Sequence, residues 1–167
     1  VSMPAGLVGG EIAVAAWPDT EAAPAIASCA GADQYLVAWH SSPNMNDLYA
    51  RFVTGAGVVD GAPLLLADTT FPDEYPEIDC LRGGTDYLVA FQQRRLTKGG
   101  EAPTQDVIVI KGMRVNTLKH VTPEFMISTA TADGHRPAVA GAPYGWFSVW
   151  ERTREWTGYQ DIYGRMA

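Results

Sequence analysis

The residues best placed to do chemistry are two carboxylates on one short apolar-flanked stretch, Glu77 and Asp79. If that stretch is a strand, alternation puts both side chains on one face. Like charges so close shift each other's proton affinity. The pair could hold a cation or a cationic ligand, or serve as acid and base in glycosidic cleavage. The plainer reading is two solvated carboxylates lining a channel. A second group is aromatic and basic. Trp156 and Tyr159 lie in Trp156-Thr-Gly-Tyr-Gln160, and Arg94 and Arg95 begin a long polar stretch over 94–104. Rings and cations on loops suit a carbohydrate or peptide ligand, because loops carry function on rigid scaffolds. The plainer reading of the rings is packing. Glu77, Asp79, Trp156, Tyr159, Arg94 and Arg95 form the candidate ligand-binding set.

Other chemistries find no footing. His40, His120 and His135 are scattered, and no pair has metal-ligand spacing. Ser41, Ser42 and Ser148 lack the setting of an activated nucleophile. No glycine-rich phosphate loop precedes a helix. No catalytic residue, metal or cofactor is expected.

These candidates are positioned by a unit written three times. The first copy runs Pro24-Ala-Ile, Tyr35-Leu-Val-Ala-Trp39, Asp47-Leu-Tyr-Ala-Arg51; the second Pro76-Glu-Ile, Tyr87-Leu-Val-Ala-Phe91, Asp106-Val-Ile; the third Pro137-Ala-Val, Trp146-Phe-Ser-Val-Trp150, Asp161-Ile-Tyr-Gly-Arg165. Each copy reads as four short strands. Strand a starts at the proline, strand b is the aromatic run and strand c starts at the Asp. Strand d is an apolar run, at 63–67 in the first copy and 125–129 in the second. The segments are rich in β-branched and aromatic residues and bounded by Gly, Pro, Asn and Asp. Apolar positions recur at period two or run on continuously, so no helix is expected. The Asp in each copy reads as structural, accepting amide bonds in the turn before it.

The repeats are 52 and 61 residues long, from Pro24 to Pro76 and from Pro76 to Pro137. The surplus in the second is assigned to a loop at 94–104. Four strands per unit at this period predict an all-β fold, a β-propeller with three four-stranded blades per chain. The repeats span about 24–75, 76–136, and 137–167 together with 1–23, in one domain. Residues 11–16 read as a strand d, aligned on Ile12, that completes the last blade. Propeller rings usually hold about 4–8 blades, so three form half of a six-bladed ring. The expected partner is a second copy in a homodimer, in which each chain's strand d completes the third blade of the other. A partner chain completing a longer propeller is the alternative.

The phrase Pro-x-Ile/Val-Ala, Tyr-Leu-Val-Ala-Trp, Asp-Ile-Tyr-x-Arg resembles the blade repeat of secreted and cell-surface bacterial β-propeller proteins. It is similar to the TolB-like and WD40-like families only in the closing Asp-Ile-Tyr phrase. The Ser-Pro-Asp-Gly turn of the former, the Gly-His and Trp-Asp pairs of the latter and the calcium loops of integrin-like blades are all missing. The resemblance implies a non-enzymatic binding or scaffolding role outside the cytoplasm, secreted or at the cell surface. A cytoplasmic placement is the alternative. Two other functions stay open: a glycoside hydrolase-like enzyme with axial carboxylates, and a structural subunit of a larger assembly.

The totals agree with a folded, acidic domain. Of 167 residues, 47% are hydrophobic and 19% charged, and the net charge is −7. That balance disfavours nucleic acid and anionic lipid. No apolar run reaches the about 18 residues a membrane span needs. The opening Val1-Ser2-Met3-Pro4 has no basic or long apolar region. It therefore reads as a cytosolic start, a processed start or a fragment of a longer precursor. Cys29 and Cys80 occupy nearly equivalent places in neighbouring repeats. Two buried free thiols are the favoured reading; a bridge requires Cα atoms within about 7 Å.

Overall fold

The computed structural model describes residues 10–42, 46–97, 105–129, 133–153 and 158–167. Their regular elements are all strands, in three antiparallel meanders. The first sheet is β1 (Thr20–Ser28), β2 (Gln34–Ser42), β3 (Asp47–Thr54) and β4 (Val59–Ala67), hydrogen-bonded in that order. The second is β5 (Asp73–Cys80), β6 (Asp86–Thr97), β7 (Gln105–Asn116) and the short β8 (Phe125–Met126). The third has three strands, β9 (Gly134–Ala142), β10 (Gly145–Thr153) and β11 (Gln160–Met166), with β10 in the middle. No helix among the described residues is long and apolar enough to cross a membrane.

The alternation seen in the sequence becomes two packed layers around the second sheet. Tyr87, Val89 and Phe91 leave one face of β6 and join Leu36, Ala38 and Phe52 of the first sheet in the main core. Ala90 leaves the other face, where Ile110 and Ile127 meet Trp150 of the third sheet. The first strands of the sheets lie side by side, β5 against both β1 and β9. Their backbones nearly touch. A Cβ at Gly141 would come within 1.9 Å of the Cys80 carbonyl oxygen, so only glycine fits there.

Four expectations change. Cys29 and Cys80 are not free thiols; they form a disulfide with Cα atoms 5.2 Å apart, joining the first two sheets. The close approach of the innermost strands makes this possible. Second, the first strand of each sheet begins before its proline, not at it. The residue preceding each proline, Ala23, Tyr75 and Arg136, has φ of 49°, 52° and 47°. Each strand carries a bulge there, with one extra residue opposite an aromatic of the neighbouring strand: Trp39, Phe91 or Trp150. A bulge is where a strand tolerates a residue with no amide hydrogen to give.

Third, residues 94–97 are strand and not the start of the loop expected over 94–104, of which 98–104 lie outside the described residues. The hairpin itself is longer, with Arg94 and Arg95 paired to Ile108 and Val107. Register also removes Asp106 from the repeated set. Ser41 faces Asp47 and Arg152 faces Asp161, but the matching Gln93 faces Val109. Fourth, residues 11–16 form no strand in this chain. They lie along the first sheet, where Arg51 donates from Nη1 to the Val14 carbonyl at 2.9 Å. Trp17 packs on Trp39 and Tyr49, with ring centroids 5.9 and 4.7 Å apart. The second sheet stands between them and the third, so they cannot complete the third sheet of their own chain.

Candidate functional site

The site follows from what each sheet covers. Register equates Trp39, Phe91 and Trp150, and hence Tyr35, Tyr87 and Trp146 four residues earlier. Tyr87 is 0% exposed because the first sheet covers it, whereas Tyr35 is 41% exposed. Ile78 is 7% exposed and its counterpart Ile26 is 62% exposed. On the opposite faces, Leu36 and Leu88 are both 0% exposed, while their counterpart Phe147 is 47% exposed. One outer face of the first sheet and one of the third therefore carry residues that, elsewhere in the same molecule, are core.

The two faces match the two sides of the internal interface. Between the first two sheets, Ala25, Leu36, Ala38 and Phe52 of one meet Ile78, Tyr87 and Val89 of the other. The uncovered third sheet presents Ala138, Phe147, Val149 and Met166 at the places of the former group. The first sheet presents Ile26 and Tyr35, both exposed, at the places of Ile78 and Tyr87, while Val37, at the place of Val89, is half-buried beneath residues 12–15.

A repeated arginine confirms the frame. Arg165 donates from Nη1 to the carbonyl of Ile127, at the end of the preceding sheet, at 3.3 Å. Arg51, its counterpart in Asp-x-Tyr-x-Arg, makes the same bond to Val14. Val14 thus stands where Ile127 stands. The sequence bears this out: Val14, Leu66 and Ile127 each lie ten residues before a repeated proline, Pro24, Pro76 and Pro137. The sequence reading aligned on Ile12 and was two residues out. Residues 12–15 bridge over Glu21, Pro24, Val37 and Trp39 and leave a cavity of about 230 Å³. The segment rests on the sheet without sealing it.

Glu77 and Asp79 do share one face of β5, turned toward β9. Asp79 is used structurally. Its Oδ1 accepts the Cys80 amide at 2.8 Å and its Oδ2 accepts the Gly141 amide at 2.7 Å. Its carbonyl accepts the Trp146 indole N–H at 3.2 Å. Glu77 is exposed, and partial desolvation raises its carboxyl above the usual range. Replacing Asp79 with Ala should destabilise the fold by about 1.5–3 kcal/mol, since a charge-assisted bond is lost and a close-packed amide is orphaned. Urea unfolding would measure this, and a change under 0.5 kcal/mol would contradict it.

Arg94, Arg95 and Tyr159 lie toward one end of the sheets, the two arginines on opposite faces of β6. Ile108, opposite Arg94, donates its amide to Asp133 Oδ1. The Asp133 carbonyl accepts from Thr153, which faces Gln160 next to Tyr159. Arg94 and Tyr159 are exposed. Glu77 faces Ala90, four residues down β6 from Arg94, or about 13 Å away, so the carboxylates and the cations are separate groups. Trp156 lies outside the described residues.

Sequence reading missed a buried carboxylate, Asp73. Its Oδ1 accepts from Gln93 Nε2 at 2.7 Å and its Oδ2 from the Thr69 hydroxyl at 2.8 Å. Gln93 Oε1 in turn accepts from Arg95 Nε at 2.6 Å, so Arg95 caps a polar chain leading inward. Lys111, buried nearby, is ion-paired with Glu124. Burial pushes the Asp73 carboxyl up to about 6; the bonds from Gln93 and Thr69 and the Lys111 charge oppose the rise, and Glu124 adds to it. An acid whose folded pKa is raised holds its proton longer when folded. Its contribution to stability therefore falls as pH climbs from about 4 to about 6 and is level above that. Asp73→Asn should flatten that slope, read from urea midpoints at pH 4.5 and pH 7. An unchanged slope would refute the assignment. A signal existed: Glu21, like Asp73, lies three residues before a repeated proline, and it accepts the Trp17 amide at 2.9 Å.

Among the described residues, no three His, Cys, Asp or Glu side chains gather as a metal site. No known protein family, curated protein or solved structure matches the chain.

Proposed function

We propose that the chain is half of a six-bladed β-propeller and works as a non-enzymatic binding and assembly module. The observation that carries this reading is the pair of uncovered faces. Ile26, Tyr35 and Phe147 are exposed at places where Ile78, Tyr87 and Leu36 are buried. Exposed apolar patches of this kind mark interaction surfaces. The resemblance to surface propeller repeats supports the same reading. So does the disulfide, which favours an oxidising compartment and hence a secreted or surface location. In such a ring Arg94, Arg95 and Tyr159 form a rim suited to a carbohydrate or peptide ligand. Both Asp79 oxygens accept backbone amides, which argues against an acid–base pair on β5.

Size-exclusion chromatography with light scattering at two concentrations tests the assembly. A mass of twice 18.0 kDa, unchanged on dilution, is expected. A stable mass of 18.0 kDa at both concentrations would refute it.

A further inference from the structure

We infer that residues 11–16 are the fourth strand of the third sheet in a second copy of this chain, pairing antiparallel with β11. The inference rests on the ring reading above and adds the edge that receives the segment and the register of the pairing.

β11 is the open edge of a three-stranded sheet whose two counterparts have four strands. Its exposed Ile162 and Met166 mark an apolar edge, and such an edge invites a further strand. Residues 11–16 are backbone without a sheet, yet they already lie where a preceding sheet's last strand lies. The Arg51 bond to Val14 fixes them there, as the Arg165 bond fixes Ile127. When the third sheet of one copy stacks on the first sheet of another, it arrives beside this segment. The segment stays put and receives β11.

The occupant is a second copy because this chain carries both halves of the joint. The face waiting on the first sheet fits the face offered by the third, as the internal interface fits itself. Twofold repetition of that contact closes the ring with each copy giving one strand and taking one.

The register follows from the two complete sheets. Tyr49 faces Leu65, and its counterpart Lys111 faces Met126. Val14 matches Ile127, so Ala13 matches Met126 and should face Tyr163. One step on, Ala50 faces Leu64 and Gly112 faces Phe125. Gly164 should accordingly face Ile12. A small residue opposes a large apolar one in all three sheets, an agreement the alignment did not use.

The test is a cysteine pair. The native cysteines are both in the disulfide, so added thiols are the only free ones among the described residues. Ala13→Cys with Tyr163→Cys, oxidised, should give a linked dimer of twice 18.0 kDa on a non-reducing gel. Ala13→Cys with Gln160→Cys, three residues out of register, should not. Both positions of the first pair are on the surface, and circular dichroism would verify folding. In the unsubstituted protein, amide hydrogen exchange over residues 11–16 should slow as concentration rises. A dimer that forms no bond, links both pairs equally or leaves these amides unprotected would overturn the strand exchange and leave the ring reading standing. A bond within one chain would overturn exchange between copies. A monomer by light scattering would overturn both.

Discussion

Replacing Cys29 and Cys80 with Ala should lower the stability of the chain by about 4 kcal/mol. The bridge closes a segment with a sequence separation of 51 residues. A loop of that length loses about 4 kcal/mol of unfolded-state freedom when tied. For a domain of this size, that is a fall in melting temperature of roughly 8–16 °C. The side chains of both sheets remain packed around Tyr87, whose hydroxyl accepts the Cys29 amide at 3.3 Å, so the variant should fold in mild conditions. Thermal unfolding followed by circular dichroism, with and without reductant, would measure the effect. A shift under 3 °C would mean that the two sheets need no tether.

If two copies close the proposed ring, Phe147→Glu should convert the dimer to monomer while sparing the fold. In the isolated chain the ring is 47% exposed, so a charge there meets water, and the cost to folding should stay within about 0.5 kcal/mol. In a ring the same position is covered, as Leu36 and Leu88 are. An unpaired carboxylate buried there costs several kcal/mol, and about 4 kcal/mol is a thousandfold in dissociation constant. Sedimentation equilibrium would read the change. An unaltered constant would remove the third sheet from the interface.

Much of the fold was legible in the sequence, for identifiable reasons. Three copies of an aromatic alternating run, Tyr35 to Trp39, Tyr87 to Phe91 and Trp146 to Trp150, gave the central strands and their two faces. The all-β class followed. What failed was alignment beyond those runs. Asp106 resembled Asp47 and Asp161, yet a hairpin can lengthen by paired residues as readily as by loop, and only register separates the cases. The Cys29–Cys80 bridge depended on how near the innermost strands approach, a tertiary quantity. Ile12 looked like the anchor of the N-terminal segment because it is large and apolar; the anchor is the Val14 carbonyl, which no side-chain pattern reports. The candidate ligand residues fared unevenly. Period two put Glu77 and Asp79 on one face, but not the amides that occupy Asp79. Asp73 went unseen because a carboxylate near a proline reads as turn chemistry, not as a buried group.

The extra residue before each proline is a change of phase. Asp73 and Ile78 are an odd number of positions apart, and an unbroken strand would send them to opposite faces. Across the bulge both turn toward the first sheet, Asp73 opposite Gln93 and Ile78 opposite Val89. The segment upstream of the proline thus keeps its own count, independent of the segment below. The count at that end of the sheets can be altered without reversing which side chains below the proline enter the core. Three sheets with the same insulation offer three places where one end could diversify while one scaffold is inherited unchanged.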